Sequence, residues 1–437
     1  MLSVSRLVLA GLAVLSGSGF VKSTILQNGQ VRITDFKNTT VDRTSLSLKT
    51  YPRNATEISY QGRWDSNFVS WWSAPGLKFG YTGSQVGITF GPSTSPGVLI
   101  GYRISGLDWQ FTNVTGGQTH LLVGPETPGV DLTAPVSPTT FEMRVTNWAY
   151  GVQIESVHVG DGQKLIKLPD ASRRIEVIGD SLAAGMYTSY EGLSSWAYGV
   201  GAGLGNTDYS ITAYPGICAA DQDCWGNPRG QVHQWFYTSD TSWRAAEAHG
   251  TDNPEPWDFS KHPAADLVII NIGTNDQNSH NNVSAPVYID ALTKIVQGVH
   301  GKYPNAQVIV MSLWLGFSQT GNTYASVSSK GFVNEVRDMI KMFNSDEYLS
   351  NPVVYDGASK KLSQTNKKTR PFVHLFNTTG ILQHNDIAPQ WHPSDVGAIK
   401  VASHLLQFIK LTFGWELEAT GPEVFHETLY WNDEPNY

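Results

Sequence analysis

The chain has 437 residues, more than one domain usually contains, so two domains are expected. Apolar residues make up 40% and charged residues 16%, which favours a globular protein and argues against long disordered segments. The net charge is −8, and nucleic acid is therefore excluded as an expected partner, because phosphate binding needs a basic face.

The N-terminus has the features of a secretory signal. Arg6 precedes an apolar run from Leu7 to Leu15, and small residues occupy positions 16 to 19. This run is too short to span a bilayer, and no later stretch approaches the roughly 20 apolar residues that a membrane helix needs. We expect residues 1–23 to be a signal peptide and the protein to be secreted, extracellular and without a membrane span.

Sequons and cysteines agree with an oxidising compartment. Asn-x-Ser/Thr sequons occur at Asn38, Asn54, Asn113, Asn282 and Asn377. Five of them behind a signal peptide predict a glycoprotein. The two cysteines, Cys218 and Cys224, are expected to form a local disulfide. A metal site would need more ligands than these, and no His or Asp pair with ligand spacing flanks them, so no metal is expected.

Residues 24–165 show the two-residue period of β-strands. Apolar residues alternate with polar or small ones over 77–81 and 86–90, and Gly83-Ser84 between these runs favours a hairpin. Further alternation covers 141–145 and 152–157. Short strands with frequent Gly and Pro turns predict a β-sandwich of the jelly-roll type.

From residue 172 the pattern changes to strands that alternate with amphipathic helices. Apolar strands are expected at 175–178, 267–272, 308–311 and 353–355. Helical stripes cover 287–299 and 332–343, and a last helix extends from Ser394 to a stop near Gly414. The alternation predicts an α/β domain over 172–414, with a parallel sheet flanked by helices. The boundary is expected between 160 and 172, and 415–437 forms an acidic, aromatic C-terminal tail.

Three breaks in this α/β half carry residues of catalytic type. Gly179-Asp180-Ser181 follows the first strand, Gly273-Thr274-Asn275-Asp276 follows another, and Trp391-His392-Pro393-Ser394 opens the last helix. A parallel sheet would gather these breaks at one edge. A serine hydroxyl becomes a good nucleophile only when a base takes its proton, so the sequence predicts a serine esterase. His392 is the chosen base, and the alternatives are His374, His384 and His404.

In this order, these blocks resemble those of the SGNH (GDSL-type) hydrolase family over about residues 172–412. The resemblance implies an acyl-enzyme on Ser181 with His392 as the base. It also implies an oxyanion hole made by the backbone N–H groups of Ser181 and a glycine and by the side chain of Asn275. For the glycine we choose Gly216, which follows Tyr214-Pro215 after a strand-like segment; its other interpretation is a plain Pro-Gly turn.

A β-sandwich before such a domain is similar to carbohydrate esterase family 2, whose members are secreted and remove acetyl groups from plant cell-wall polysaccharides. The segment 173–176 leading into Gly179-Asp180-Ser181, and the Trp-His-Pro-Ser string at 391–394, carry this narrower resemblance. It implies an acetylated polysaccharide or oligosaccharide as substrate and no cofactor, and a monomer is expected. Trp391, beside the base, is the candidate for stacking on a sugar ring.

The third member of a catalytic triad is left open by the sequence. Most SGNH enzymes place an Asp three residues before the His, where Pro389 stands here. Asp386 lies six residues before His392, and Asp395 lies three after it. Carbohydrate esterase family 2 includes enzymes in which a backbone carbonyl orients the imidazole instead. A Ser–His dyad is therefore the leading hypothesis, with Asp386 as the reserve third member.

Two other functions remain as alternatives. A GDSL-type lipase acting on lipid esters would favour an apolar lid or an amphipathic surface helix, and the sequence shows neither. A secreted carbohydrate-binding protein without catalysis is the second alternative. The presence of Ser181, Asn275 and His392 together argues against it.

Overall fold

A computed structural model describes residues 25–27, 30–32, 36–132, 138–239, 243–249, 254–314, 316–320, 323–327 and 332–417. The expected signal peptide, 1–23, and all but the first three residues of the expected tail, 415–437, lie outside the described residues.

The N-terminal half is built from short antiparallel strands. They are β1 (Ile25–Gln27), β2 (Gln30–Arg32), β3 (Thr40–Val41), β4 (Leu48–Pro52), β5 (Ser59–Gln61), β6 (Val69–Ser70), β7 (Gly76–Tyr81), β8 (Val86–Phe90), β9 (Leu99–Ile104), β10 (Gln110–Asn113), β11 (Thr119–Val123), β12 (Thr139–Val145), β13 (Val152–Gly160) and β14 (Leu165–Ile166). A 3₁₀ turn, Arg43–Ser45, lies between β3 and β4.

Two sheets face each other across one core. One has the order β10-β9-β12-β7-β14 with β5 also on β7, and the other has the order β3-β11-β8-β13-β4 with β6 on β13. The inward residues of both are buried, and Phe79 stacks on Phe141 with ring centroids 5.0 Å apart. The predicted sandwich is confirmed.

The predicted hairpin through Gly83-Ser84 is wrong. β7 pairs with β5, β12 and β14, whereas β8 pairs with β11 and β13, so the connection passes from one sheet to the other. The alternating pattern places a strand's apolar side chains on one face, but it does not identify the neighbouring strand. A register shift in β13 between Ile154 and Ser156 explains why its inward residues change spacing there.

The second half alternates strands and helices. Its elements are β15 (Arg173–Gly179), α1 (Ser181–Ala184), α2 (Trp196–Leu204), β16 (Thr207–Ala213), α3 (Gln231–Gln234), α4 (Trp243–His249), β17 (Leu267–Asn271), α5 (Thr274–Gln277), α6 (Ala285–Lys302), β18 (Gln307–Met311), β19 (Gly316–Thr320), β20 (Thr323–Val327), α7 (Val333–Phe343), α8 (Asp346–Ser350), β21 (Val353–Asp356), β22 (Lys361–Gln364), β23 (Val373–Phe376) and α9 (Asp395–Phe413). 3₁₀ turns occur at Glu191–Ser194, Phe259–Lys261, His384–Asp386 and Pro389–Trp391.

Five of these strands form one parallel sheet in the order β16-β15-β17-β18-β23. Alternate residues of each strand face opposite layers: Ile269 packs with α2 and α9, and Ile270 packs with α6 and α7. The predicted parallel sheet with helices on both faces is confirmed. The strand expected at 353–355 exists, but among the described strands it pairs with β22 alone. The fifth parallel strand is β23, which the sequence pattern did not reveal.

Among the described residues, α9 alone is long and apolar enough to cross a membrane by length and composition. The expectation that no stretch after the signal is long and apolar enough for a membrane helix is therefore wrong for α9. In the structure Val401, Leu405 and Ile409 are fully buried against α2 and the sheet, so α9 is a core helix of the domain. Its predicted limits hold, with Ser394 as N-cap and Gly414 as C-cap.

Arg63, from the sandwich, extends into the second domain. Its guanidinium lies 2.6 Å from the carboxylate of Glu176 in β15, and both side chains are almost fully buried. Trp235 and Tyr303 donate to the same carboxylate at 2.7 and 3.0 Å. The two domains are therefore joined by a buried ion pair as well as by apolar contacts.

Candidate active site

Ser181 lies at the junction between the first parallel strand and a short helix. β15 ends at Gly179, Asp180 caps α1, and Ser181 is the first helical residue. A Cβ at position 179 would come within 2.5 Å of the Cβ of Ala183, so this sharp turn requires glycine. At the first helical position the backbone N–H of Ser181 has no acceptor within the helix.

The strand register brings three loops to the same edge of the sheet. Gly179 is aligned with Ala213 of β16 on one side and with Asn271 of β17 on the other. The loops that follow these three strands carry the candidate nucleophile and the two candidate oxyanion donors. The strand order also changes direction at β15, and ligands of open α/β sheets bind at such a switch point, beyond the carboxyl ends of the strands.

His392 and Ser181 are in direct contact. Nε2 of His392 lies 2.7 Å from Oγ of Ser181, and Nδ1 lies 2.9 Å from the backbone oxygen of Gln390. A carbonyl oxygen can only accept, so Nδ1 carries the ring hydrogen and Nε2 accepts from the serine hydroxyl. This tautomer and orientation are those that a general base for Ser181 requires.

The backbone before His392 adopts an unusual conformation. Gln390 and Trp391 both have left-handed φ values, of 56° and 65°. Such values are uncommon for residues with side chains and are found where the surrounding structure enforces them. Here the turn directs the carbonyl of Gln390 back to the imidazole two residues later, and it is anchored by a 2.7 Å bond from the Ala388 N–H to the His392 oxygen.

Asp386 and Asp395, the two aspartates near His392, are each held by other partners. The buried carboxylate of Asp386 accepts from Lys400 at 2.6 Å and from the N–H of Gln383 at 2.8 Å. The carboxylate of Asp395 accepts from the N–H of Ser189 at 2.8 Å and from its hydroxyl. The structure thus directs Asp386 to a lysine of α9, and a carbonyl occupies the position at Nδ1.

The alternative histidines occupy other places. His374 lies in β23, where its Nε2 is 2.8 Å from Oε1 of Gln307, and His404 is exposed on α9. His384 lies in the 3₁₀ turn before the loop that carries His392. Of the four candidates, the structure brings His392 to Ser181.

Gly216 occupies the third position of a turn that starts at Tyr214. Its φ of 83° and the preceding proline are those of a type II turn, which needs glycine at this position. The turn's own hydrogen bond, 3.4 Å, uses the N–H of Ile217. The N–H of Gly216 therefore lies outside that bond, as an oxyanion donor must.

Asn275 lies in α5, directly after β17, and its side chain faces the same loop. Nδ2 donates to the backbone oxygen of Ile217 at 2.9 Å. A carboxamide nitrogen carries two hydrogens, so this bond fixes the side chain and leaves the second hydrogen for a ligand. Asn281 in turn donates to the Asn275 oxygen at 2.9 Å, which holds the start of the helix.

Two further features stiffen the loop that carries Gly216. The predicted disulfide between Cys218 and Cys224 is present. The buried carboxylate of Asp276 accepts from the N–H groups of Ala219 and Ala220, at 2.8 and 3.0 Å. Preorganised donors stabilise an oxyanion most when they need not move during the reaction.

Asp180 and Asp276 form a pair of buried acids beneath this edge of the sheet. Burial, with the charge of Asp276 adding to it, raises the pKa of Asp180 to about 7, although the N–H of Leu182 donates to its carboxyl. Burial likewise raises the pKa of Asp276 to about 6. The sequence did not single out Asp180 or Asp276, although each directly adjoins a candidate catalytic residue.

Aromatic side chains surround the Ser181–His392 pair. Tyr187 makes an edge contact with His392, with ring centroids 5.2 Å apart, and Trp391 is half-buried beside it. Trp225 has 53% of its surface exposed, a left-handed φ of 54° and a parallel stack on His280 at 4.4 Å. Its Cβ lies next to Gly216, since a Cβ added there would be 3.2 Å away. The sequence pattern does not identify Tyr187 or Trp225 as residues of this site.

The predicted glycosylation sites are placed at the surface with one exception. Asn38, Asn54, Asn282 and Asn377 are exposed, whereas Asn113 is half-buried and its amide donates to the Gly97 oxygen at 2.9 Å. Glycosylation stays a prediction. In the part of the chain that the structure describes, no cluster of three or more His, Cys, Asp or Glu could hold a metal ion.

The sequence profile of the GDSL-like Lipase/Acylhydrolase family matches residues 177–398, just over half of the chain. This span contains Ser181, Gly216, Asn275 and His392. No match is found among curated protein sequences.

Solved structures of carbohydrate esterases share the fold. A family two carbohydrate esterase from Clostridium thermocellum in complex with cellohexaose has a TM-score of 0.60 and 19% identity, over 82% of this chain and 100% of that one. An acetyl xylan esterase from the rumen bacterium Butyrivibrio proteoclasticus has a TM-score of 0.62 and 15% identity, over 84% and 99% of the two chains. A family two carbohydrate esterase from Cellvibrio japonicus gives the same four values. The coverage shows that these proteins share both the sandwich and the parallel-sheet domain.

Proposed function

We propose that this chain, which belongs to the GDSL-like lipase/acylhydrolase family, is a secreted serine esterase that removes acetyl groups from cell-wall polysaccharides or oligosaccharides. The observation that supports it most is the contact between Ser181 and His392, with the opposite ring nitrogen bonded to a carbonyl. A serine activated in this way attacks ester carbonyls. Structures with this fold include acetyl esterases of carbohydrates, which motivates the acetyl group and the sugar.

The proposed reaction has two halves. The hydroxyl proton of Ser181 passes to Nε2 of His392 as Oγ bonds to the acyl carbon. When the tetrahedral intermediate collapses, the sugar oxygen leaves and takes the proton from Nε2. A water molecule then gives a proton to Nε2 of His392 as its oxygen attacks the acyl carbon. When this second intermediate collapses, acetate leaves and Oγ of Ser181 takes the proton back from Nε2.

The negative oxygen of each intermediate needs donors that are already in place. The proposed donors are the N–H groups of Ser181 and Gly216 and the second hydrogen of the Asn275 amide. Asp276 and the disulfide would hold the second donor in place, and the Ile217 carbonyl would hold the third. Removal of one such donor in comparable enzymes costs about 2.7–4 kcal/mol of transition-state stabilisation.

A dyad is proposed in preference to a triad. The carbonyl of Gln390 fixes the imidazole tautomer, but a neutral group stabilises the imidazolium less than a carboxylate does. Asp386 is assigned to the ion pair with Lys400 and not to catalysis.

Trp391 and Trp225 are the proposed sugar-stacking residues of this site. The flat apolar face of an indole matches the face of a pyranose ring, and both side chains are at least partly exposed. The strained backbone of Trp225 supports a functional role, because a bulky residue rarely adopts a left-handed φ without a compensating reason.

The test is acetate release from a panel of acetylated glycans, with long-chain lipid esters as the second arm. Wild type should release acetate from at least one glycan, and Ser181→Ala should lose at least ~10³-fold in kcat. Labelling by an organophosphate serine probe should disappear in the same variant. Preference for the lipid esters would favour a lipase, and absence of both turnover and labelling would favour a binding protein.

A further inference from the structure

The sandwich domain touches the loop that carries the candidate oxyanion donor. The loop between β12 and β13 contains Thr146 and Trp148, and both bind the 3₁₀ turn 191–194 of the other domain. The N–H of Gly192 donates to the Thr146 oxygen at 2.9 Å, and the N–H of Trp148 donates to the carboxyl of Glu191 at 3.1 Å. The backbone of Trp148 is therefore held at the contact between the two domains.

The indole ring of Trp148 lies against Tyr214. The two rings meet edge to face, with centroids 5.8 Å apart and planes at 90°. Tyr214 begins the turn in which Gly216 is the third residue. One side chain thus separates Trp148 from the candidate oxyanion hole.

A second contact anchors the same stretch of chain from the sandwich side. The hydroxyl of Ser73 donates to the Ala213 oxygen at 3.1 Å, and Ser73 forms a β-bridge with Ile211. Ala213 is the last residue of β16, so the sandwich holds the strand from which the loop departs. The relative position of Trp148 and the loop is therefore set by polar bonds on both sides.

Trp148 differs from the other tryptophans of this part of the sandwich. Trp71 and Trp72 are 3% and 1% exposed and serve packing, whereas Trp148 is only half-buried. A tryptophan that served only to join the domains would gain more from complete burial. Trp148 instead keeps part of its surface exposed.

From this placement, and resting on the function proposed above, we infer that Trp148 is a substrate-binding residue that the sandwich contributes to the active site. It would stack on a sugar unit of an acetylated oligosaccharide next to the unit that bears the acetyl group. The sandwich would then select for a carbohydrate chain, while the parallel-sheet domain performs the chemistry. Small acetyl esters, which have no neighbouring sugar, would not use Trp148.

The experiment compares two substrates in Trp148→Ala: 4-nitrophenyl acetate and an acetylated xylo-oligosaccharide or cello-oligosaccharide. We expect kcat/KM for the nitrophenyl ester to stay within about twofold, and KM for the oligosaccharide to rise about tenfold, as the loss of one aromatic contact implies. Trp148→Phe, which keeps a flat ring, should recover part of the difference. Tyr51→Ala, which removes a half-buried aromatic residue from the sandwich core, is the matched control and should leave the ratio between the substrates unchanged.

Equal losses on both substrates, or an unchanged KM for the oligosaccharide, would overturn the inference and leave Trp148 as an interface residue. If Trp148→Ala does not fold, Trp148→Leu retains apolar volume without a flat face and gives the same comparison. Failure of the proposed function would look different, because the wild type would then not release acetate from the acetylated oligosaccharide.

Discussion

The acidic side chains of the parallel-sheet domain are stabilised in two different ways, depending on where along the strands they lie. In the amino-terminal and middle parts of the strands, acids are paired with cations: Glu176, in the middle of β15, with Arg63, and Asp208, near the start of β16, with Arg174 at 2.6 Å. At the carboxyl ends, Asp180 and Asp276 accept hydrogen bonds from backbone N–H groups, and burial raises the pKa of both.

This difference follows from what each end holds in place. An ion pair joins two side chains and here ties the sandwich to β15. A carboxyl that accepts from backbone N–H groups fixes the path of a loop, and the two loops concerned carry Ser181 and Gly216. We therefore expect changes at the ion pairs to affect the stability of the fold, and changes at the carboxyl ends to affect turnover or the pH range over which the fold is stable.

The largest expected effect is on stability, from Arg63→Met. The change leaves Glu176 buried without its cation, and the loss of one partner of a buried pair costs about 3–5 kcal/mol. The urea concentration at the midpoint of unfolding should fall, while kcat of the folded protein stays near that of wild type. The double variant Arg63→Met with Glu176→Leu should recover much of the loss, and a failure to recover would mean that the pair is not the cause.

At the other end, Asn275→Ala should act on turnover. Without the amide donor, kcat should fall about 10²–10³-fold and KM should change little, because the oxyanion exists only along the reaction path. Initial rates on an acetyl ester measure this. Asn281→Ala, whose side chain bonds only the backbone of Asn275 among the contacts described, should lose less. An effect confined to KM would contradict the assignment.

Asp180→Asn tests the pH dependence at the same end. Because the pKa of Asp180 is raised to about 7 in the folded protein, the folded state holds the proton more tightly than the unfolded chain, in which the ordinary value is 3.8. Its contribution to stability is complete below about pH 3.8 and is lost as the pH rises through 7. An asparagine stays neutral and can still accept from Leu182.

The melting temperature of wild type should therefore fall between pH 5 and pH 8, and that of Asp180→Asn should fall less. Asp276 contributes in the same direction, so part of the dependence should remain. Asp208→Asn, at the amino ends, is the control and should not reduce the loss. Identical pH profiles for wild type and Asp180→Asn would show that this carboxyl does not hold its proton.

The smallest expected effect on catalysis is that of Asp386→Asn. Its carboxylate binds Lys400 and the Gln383 N–H, so kcat should stay within about tenfold of wild type. Lys400→Met breaks the same ion pair, so it and Asp386→Asn should lower the free energy of unfolding by similar amounts. A true third member of the triad would instead cost up to ~10⁴-fold, and a shift in the acidic limb of the kcat/KM profile would accompany it.

How far the sequence leads depends on whether a feature is local. The capping of α9 by Ser394 and Gly414 and the sharp turn at Gly179 depend only on residues close in sequence. Both could therefore be predicted. The order of Ser181 and His392 along the chain, after parallel strands, also predicts their meeting at one sheet edge. Their catalytic roles stay predictions.

Features that depend on distant partners could not be predicted. The hairpin at Gly83-Ser84 failed because strand period does not identify the neighbouring strand. β23 was missed because a four-residue strand between loops has too little pattern to detect. Arg63 has no local sign that its partner is 113 residues away, and the same is true of the contact between Trp148 and Tyr214.

The contact between Ser181 and His392 joins residues 211 positions apart, and all five strands of the parallel sheet precede His392 in the sequence. During synthesis the sandwich and the strands of the sheet are made before His392, so a growing chain carries Ser181 without this partner. Domains fold as units in the order in which they emerge, so the proposed acyl transfer would become possible only after α9 has packed on the sheet. On the proposed function, ester turnover would therefore report that the domain carrying both residues has folded.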